Sequence, residues 1–287
     1  MRPGRVTLLV GAEGCLGHAV IAAAAGEDGL TATSREDSGP YYVNLETPPG
    51  SWRLPDPGPG GAALILAALT DTAACEADPA RARRLNLEAT LTLARLLAGR
   101  GFFVVFPSTS QVFDGSAPMP APGDPTNPVT VYGGLKAETE AALLRELPGG
   151  AAVLRITKVL DGGNGLIRRW TSDLLAGQPV EAFEDMRMAP VSEAEAARAL
   201  LGAARDRAPG VFHLSAARDI TYFEAARIGA EALGADPALV RPVSCAGRGL
   251  FAPAHTALAM SGPAPAPEVV VRRAFELAAE ASREARP

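Results

Sequence analysis

Residues 5–17 read Arg5-Val6-Thr7-Leu8-Leu9-Val10-Gly11-Ala12-Glu13-Gly14-Cys15-Leu16-Gly17. The first half is a short apolar run of the kind that forms a buried strand. Three glycines at three-residue spacing follow it, and the apolar stretch His18–Ala25 then reads as a helix. Strand, glycine turn and helix in that order suit a phosphate. The first glycine lets the chain reverse, the second lets backbone approach a pyrophosphate, and the third lets helix pack close on strand. The helix N-terminus adds free N–H groups and partial positive charge. The spacing is G-x-x-G-x-x-G rather than G-x-G-x-x-G, so its force comes from its place after the first strand.

Working outward, Leu30–Ser34, Tyr41–Leu45, Ala62–Ala68, Phe102–Phe106 and Ala151–Ile156 read as further strands, with helical patterns over Asp78–Leu97 and Pro128–Leu147. Continuous apolar strands alternating with helices predict a parallel sheet covered on both faces. Arg35–Pro40 is too short to hold a crossover helix. Glu46–Gly60 has eight Pro or Gly in fifteen residues and predicts a loop. Beyond residue 160 the pattern gives helices at Leu166–Ala176, Ser192–Ala204, Tyr222–Leu233 and Glu268–Glu284, a short strand at Val211–Leu214, and a linker at Ser261–Pro267. The expected fold class is α/β, a Rossmann-type doubly wound parallel sheet with a smaller C-terminal substrate-binding lobe. The expected division is a dinucleotide-binding domain over 1–160, with 188–215 returning to it, and a lobe made of 161–187 and 216–287.

Composition narrows the class. The chain has 287 residues, 47% of them hydrophobic, and a net charge of −5. It can bury a large core, and its acidic balance argues against nucleic acid as a partner. No apolar run is long enough to predict a membrane span. Met1–Val10 shows no signal-peptide pattern, and the three cysteines Cys15, Cys75 and Cys245 are odd in number and far apart. A reducing cytoplasm is the expected compartment. Scattered histidines give no metal constellation, so no metal is expected. Only two of the 27 basic residues are lysine, Lys136 and Lys158. Each invites a reason why arginine does not stand there.

Lys136 has one. Tyr132 precedes it by four residues, so both share a helix face. A phenol is a poor base near neutrality, and a neighbouring ammonium is expected to draw its pKa down. Such a pair suits proton exchange with an alcohol or carbonyl oxygen while hydride moves. Upstream, Ser108-Thr109-Ser110 follows the fifth strand, and a hydroxyl there can hold the same oxygen. At the end of the second strand stands Thr33-Ser34-Arg35 where a carboxylate would take the ribose of NAD. A hydroxyl and a guanidinium favour the 2′-phosphate of NADP(H), with NAD(H) as the other candidate.

These residues together resemble the extended short-chain dehydrogenase/reductase family, and within it the dTDP-4-dehydrorhamnose reductase-like branch. The motifs are the glycine loop Gly11–Gly17, Ala67-Ala68-Leu69-Thr70 through Cys75-Glu76 with Asn86 on the next helix, Ser108 to Gly115, and Pro128 through Tyr132 to Lys136. Pro190-Val191 and Gly210–Ser215 fit as well. The resemblance implies Thr109, Tyr132 and Lys136 as the catalytic set. It implies cofactor contacts from Gly11, Gly14, Cys15, Leu16, Gly17, Ser34, Arg35, Asn44, Leu45, Ala67, Ala68, Leu69, Tyr132 and Lys136. Substrate contacts are expected from Thr70, Ser110, Gln111, Lys158 and Arg187; for Lys158 the alternative is a surface lysine or a salt bridge to an acidic neighbour such as Glu184 or Asp185. Three positions depart from the branch: Ser110 replaces an aspartate, Gln111 an aromatic residue, and Lys158 a tryptophan.

The expected function is NADPH-dependent reduction of the keto group of a nucleotide-linked sugar. An epimerase or dehydratase of the same fold with bound NAD, or a non-catalytic NADP-binding regulatory subunit, are the alternatives. The family often forms dimers, so a homodimer is expected.

Overall fold

A computed structural model describes residues 6–25, 29–37 and 39–284. Arg5, counted above with the first strand, and Ser38, within the Arg35–Pro40 link, lie outside them. The chain divides into two compact units. One takes residues up to Phe113 with Gly123–Arg155 and Ala194–Phe212, and the other takes Asp114–Pro122, Ile156–Glu193 and residues from His213 on.

The first unit is built on a six-stranded sheet. Its strands are β1 (Thr7–Val10), β2 (Leu30–Ala32), β3 (Ala62–Ile65), β4 (Phe103–Thr109), β5 (Ala151–Ile156) and β10 (Gly210–Leu214), in the order β10-β5-β4-β3-β1-β2. The β1–β2, β1–β3 and β3–β4 pairs are parallel, in registers such as Leu9↔Ala32, Val10↔Ile65 and Leu64↔Val105. From β1 the order runs one way to β2 and the other way to β3. Open α/β sheets bind ligands at such a reversal, outside the carboxyl ends of the strands. The helices are α1 (Cys15–Ala23), α2 (Thr72–Ala77), α3 (Pro79–Arg83), α4 (Thr90–Gly99), α5 (Val131–Glu146) and α7 (Glu193–Asp206). Leu8, Ala63, Val104 and Val153 of the strands are buried with Leu93, Leu97 and Leu143 of the helices in one core. The sheet is Rossmann-like, as its apolar strands predict.

Several boundaries differ from expectation for local reasons. Tyr41–Leu45 is not a strand. Tyr42 makes only isolated bridges to Ser34 and Arg53. Asn44 then turns the chain, accepting from Glu46 N through its side chain and from Thr47 N through its carbonyl, both at 3.0 Å. β3 stops at Ile65, after which Leu66 N and Ala67 N both donate to the Val10 carbonyl. The single helix expected over Asp78–Leu97 is α3 and α4 joined by a π-helical stretch, Arg84–Ala89. Helix α5 starts at Val131, not Pro128, because Thr130 is extended and its Oγ1 accepts from Gly133 N at 3.0 Å.

In the second unit, β6 (Lys158–Leu160) pairs parallel with β9 (Pro190–Ser192), β7 (Val180–Phe183) parallel with β12 (Val240–Val243), and β8 (Arg187–Met188) antiparallel with β11 (Ile220–Thr221). Helices α6 (Gly165–Leu175), α8 (Tyr222–Leu233) and α9 (Pro267–Glu284) close on an aromatic centre in which Trp170 stacks on Phe275 and meets Tyr222 edge-on. None of these six strands was expected: each is two to four residues long and lacks the longer continuous apolar run that marked the strands of the first unit.

Two constraints fix α5 in the first unit. Arg155 of β5 forms a buried fork on Glu140 of α5, with contacts of 2.8 to 3.2 Å, and its guanidinium lies 5.0 Å from the Phe113 ring centroid. At the other end, a Cβ on Gly133 would stand 2.1 Å from the Gln111 carbonyl oxygen, so only glycine lets the helix seat against the 110–112 turn. Gly134 has nothing within 4 Å of that position.

The pair predicts asymmetric mutants. Glu140→Ala leaves a buried guanidinium uncompensated and should cost about 3–5 kcal/mol, whereas Glu140→Leu with Arg155→Leu should cost much less. Gly133→Ala should destabilise, while Gly134→Ala should gain about 0.5–1 kcal/mol from helix propensity. Urea denaturation of the four variants checks both orderings.

Candidate active site

The glycine loop lies at the carboxyl ends of β1 and β3. Gly11 has φ +95°, and a Cβ there would sit 2.6 Å from Ala67 N. A Cβ on Gly17 would sit 2.4 Å from the Gly11 carbonyl oxygen, so α1 can pack on the loop only with glycine there. At Gly14 the nearest atom would be 3.8 Å away, leaving its face open. Gly14 is also the N-cap of α1 and offers no side-chain cap, so the first amides of α1 are free for an anion.

A cavity of about 670 Å³ opens over this loop, lined among others by Gly11, Gly14, Thr33, Arg35, Asn44, Leu45 and Ala67–Leu69. The Thr33 hydroxyl is buried in this wall with no hydrogen-bond partner among the described residues. A free helix end, an open glycine face and an orphan hydroxyl suit the adenosine and pyrophosphate half of a dinucleotide. Leu69 is held in place by Asn86, buried in the π-helical stretch, which accepts from Leu69 N and donates to Leu69 O, both at 2.8 Å. Of the expected cofactor contacts, Gly11, Gly14, Arg35, Asn44, Leu45, Ala67, Ala68 and Leu69 line this cavity. Cys15, Leu16 and Gly17 form the first turn of α1 just past it, and Ser34 stands beside Arg35.

Glu13 was missed by the sequence reading. Its carboxylate accepts from Ser34 Oγ at 3.2 Å and Arg35 N at 3.3 Å, and pairs with Arg35 Nε at 2.6 Å. Arg81, also in the cavity wall, is likewise paired, with Glu46 at 2.5 Å.

The tyrosine–lysine pair sits on the first turns of α5. Lys136 is buried, donates to the Pro107 carbonyl at 2.9 Å, and lies 4.3 Å from the Phe106 ring centroid and 5.9 Å from that of Tyr132. Burial holds its ammonium down at about 8, against the opposing pull of Glu140 one turn along. The half-buried Tyr132 departs from expectation. Burial, aided by Cys75, raises its phenol above the ordinary value rather than letting the lysine lower it. The phenol therefore keeps its proton at neutral pH. Thr109 ends β4 two residues after Pro107, buried, its Oγ1 accepting from Gln111 N at 3.2 Å. Gln111 Oε1 accepts in turn from Thr130 Oγ1, the cap of α5, at 3.3 Å. Ser110 and Gln111 form the turn after Thr109, so these residues and α5 are one packed assembly.

Glu140 and Asn86 support this assembly. Asn86 was flagged by its motif. Glu140 carried only the signal of a carboxylate four residues after the lysine.

Other expected residues stand apart. Thr70 is exposed beyond the cavity wall. Lys158 and Arg187 belong to the second unit. Lys158 opens β6, is exposed, and has no ion-pair partner among the described residues. The alternative partner Asp185 instead accepts from Ser244 Oγ and Cys245 N. Arg187 pairs with Thr221 across β8 and β11. Among the described residues there is no group of three potential metal ligands and no helix long and apolar enough to cross a membrane.

Residues 5–263 match the family model described as RmlD substrate binding domain. A dTDP-4-dehydrorhamnose reductase of Mycobacterium tuberculosis is 34% identical over 260 residues, spanning 83% of this chain and 79% of the relative. A dTDP-4-keto-6-deoxy-D-glucose reductase of Streptomyces niveus is 33% identical over 180 residues, 62% of either chain. The solved dTDP-4-dehydrorhamnose reductase of Bacillus anthracis, in complex with NADP, superposes with a TM-score of 0.80 over 96% of this chain and 99% of that one, at 18% identity. The chain belongs to the RmlD substrate binding domain family, the dTDP-4-dehydrorhamnose reductase-like oxidoreductases of the extended short-chain dehydrogenase type.

Proposed function

We propose that the protein reduces the keto group of a nucleotide-linked sugar, with NADPH as the reductant. The observation that carries the reading is the buried ammonium of Lys136 beside Tyr132, tied to the strand end that presents Thr109. The M. tuberculosis and S. niveus relatives support a dTDP-linked 4-keto sugar as the substrate class.

When bound, the dinucleotide supplies the hydride. The chain's own groups handle the oxygen. Thr109 Oγ1 donates to the keto oxygen and orients it. Tyr132 passes its phenolic proton to that oxygen as negative charge develops there, a transfer contributing about 10²–10⁴-fold. A phenol kept protonated at neutral pH suits donation, which is the reductive direction. Lys136 stabilises the phenolate left behind. The loop glycines and the free amides of α1 hold the pyrophosphate, and the cavity around Thr33 takes the adenosine. Lys158, an exposed cation with no ion-pair partner among the described residues, and Arg187 are assigned to anionic groups of the substrate.

Purified protein should oxidise NADPH only when given a dTDP-linked 4-keto sugar, and Tyr132→Phe should lose about 10²–10⁴-fold in kcat while still binding cofactor. NADPH binding without oxidation across dTDP-, UDP- and GDP-linked keto sugars would contradict the reading. Lys136 should be charged below its value of about 8 and neutral above it. The kcat/KM profile should therefore fall as pH rises through about 8, and Glu140→Gln should move that limb to lower pH. A profile flat through that range contradicts the role of Lys136. Lys158→Ala should raise KM for the sugar nucleotide with little change in kcat.

A further inference from the structure

Three donors converge on one carboxylate at the rim of the dinucleotide cavity. They are Ser34 Oγ at 3.2 Å, Arg35 N at 3.3 Å and Arg35 Nε at 2.6 Å, and the acceptor is Glu13, the third residue of the glycine loop. A hydroxyl, an amide and a guanidinium that close on an anion are the donors a ribose 2′-phosphate would take. The chain already fills that place with an anion of its own. Ser34 Oγ also accepts from Glu36 N at 2.9 Å, which holds it in this turn.

We propose that Glu13 sets the choice between NADPH and NADH. In the free protein its carboxylate stands in for the 2′-phosphate on Ser34 and Arg35. NADPH binds there only by displacing it, whereas the uncharged 2′-hydroxyl of NADH leaves the Glu13–Arg35 pair intact. Glu13 is thus a counterweight to Arg35, and it holds the preference for NADPH below what Ser34 and Arg35 alone would give. The inference rests on the dinucleotide reading of this cavity.

The ion pair is solvent-exposed, with side-chain exposures of 74% for Arg35 and 41% for Glu13, so water screens it and the effect is moderate. A phosphate monoester carries about −1.5 to −2 charges near neutrality, and one further carboxylate a few ångströms away opposes each of them. Removing that carboxylate should tighten NADPH about tenfold.

The test is direct binding, by calorimetry or quenching of intrinsic fluorescence, of NADPH and NADH to the full chain and to Glu13→Gln, Arg35→Ala and the double variant. Circular dichroism confirms that each is folded. The expected result is about tenfold tighter NADPH in Glu13→Gln, with NADH changed by less than about twofold and the gain abolished when Arg35 is also removed. The gain should shrink as salt rises. Equal changes for both cofactors, or weaker NADPH binding in Glu13→Gln, would overturn the role of Glu13 and leave the dinucleotide site standing. If the unaltered chain binds neither cofactor, the dinucleotide reading fails and this inference falls with it.

Discussion

An ammonium buried in the middle of a protein is costly unless its charge is answered, and Lys136 is answered on three sides. The Pro107 carbonyl accepts from it, the Phe106 ring faces it, and Glu140 draws its proton affinity back up against burial. Each of these depends on something further out. Pro107 is placed by β4, the longest strand of the sheet. Glu140 is held by the buried fork of Arg155, which ties α5 to β5. Gly133 lets the same helix press on the turn after Thr109. The candidate catalytic groups are therefore where they are because the surroundings of one lysine require it.

The scarcity of lysine takes on meaning in that light. A chain that uses arginine almost everywhere keeps lysine at the one buried position where a compact charge points at a single carbonyl. A planar five-donor guanidinium would leave donors unmatched there. Arg155, also buried, has the opposite requirement, a flat carboxylate to grip with two edges, and there arginine is the fitting choice.

Much of this was legible in the sequence. The glycine loop, the strand–helix alternation and the Tyr132–Lys136 spacing rest on local rules, and the fold has them where they were expected. Four features around the site were not legible, each for a physical reason. Tyr41–Leu45 has strand-like residues, but Asn44 captures the neighbouring backbone and ends the pairing. The π-helical turn that aims Asn86 at Leu69 leaves no mark on apolar periodicity. Desolvation of Tyr132 depends on what folds over it, and it outweighs the neighbouring charge that the spacing suggests. Glu13 read as a variable position inside the glycine motif. Its significance lies in residues more than twenty positions away, brought beside it by the parallel pairing of β1 with β2.

The central claim is that hydride arrives at the keto carbon while the protein supplies the proton. The most direct measurement is the mass of the product after turnover with NADPH deuterated at the transferring position of the nicotinamide. The account predicts one deuterium at the newly formed carbinol carbon, in step with cofactor oxidised. An unlabelled product formed without net cofactor consumption would contradict it.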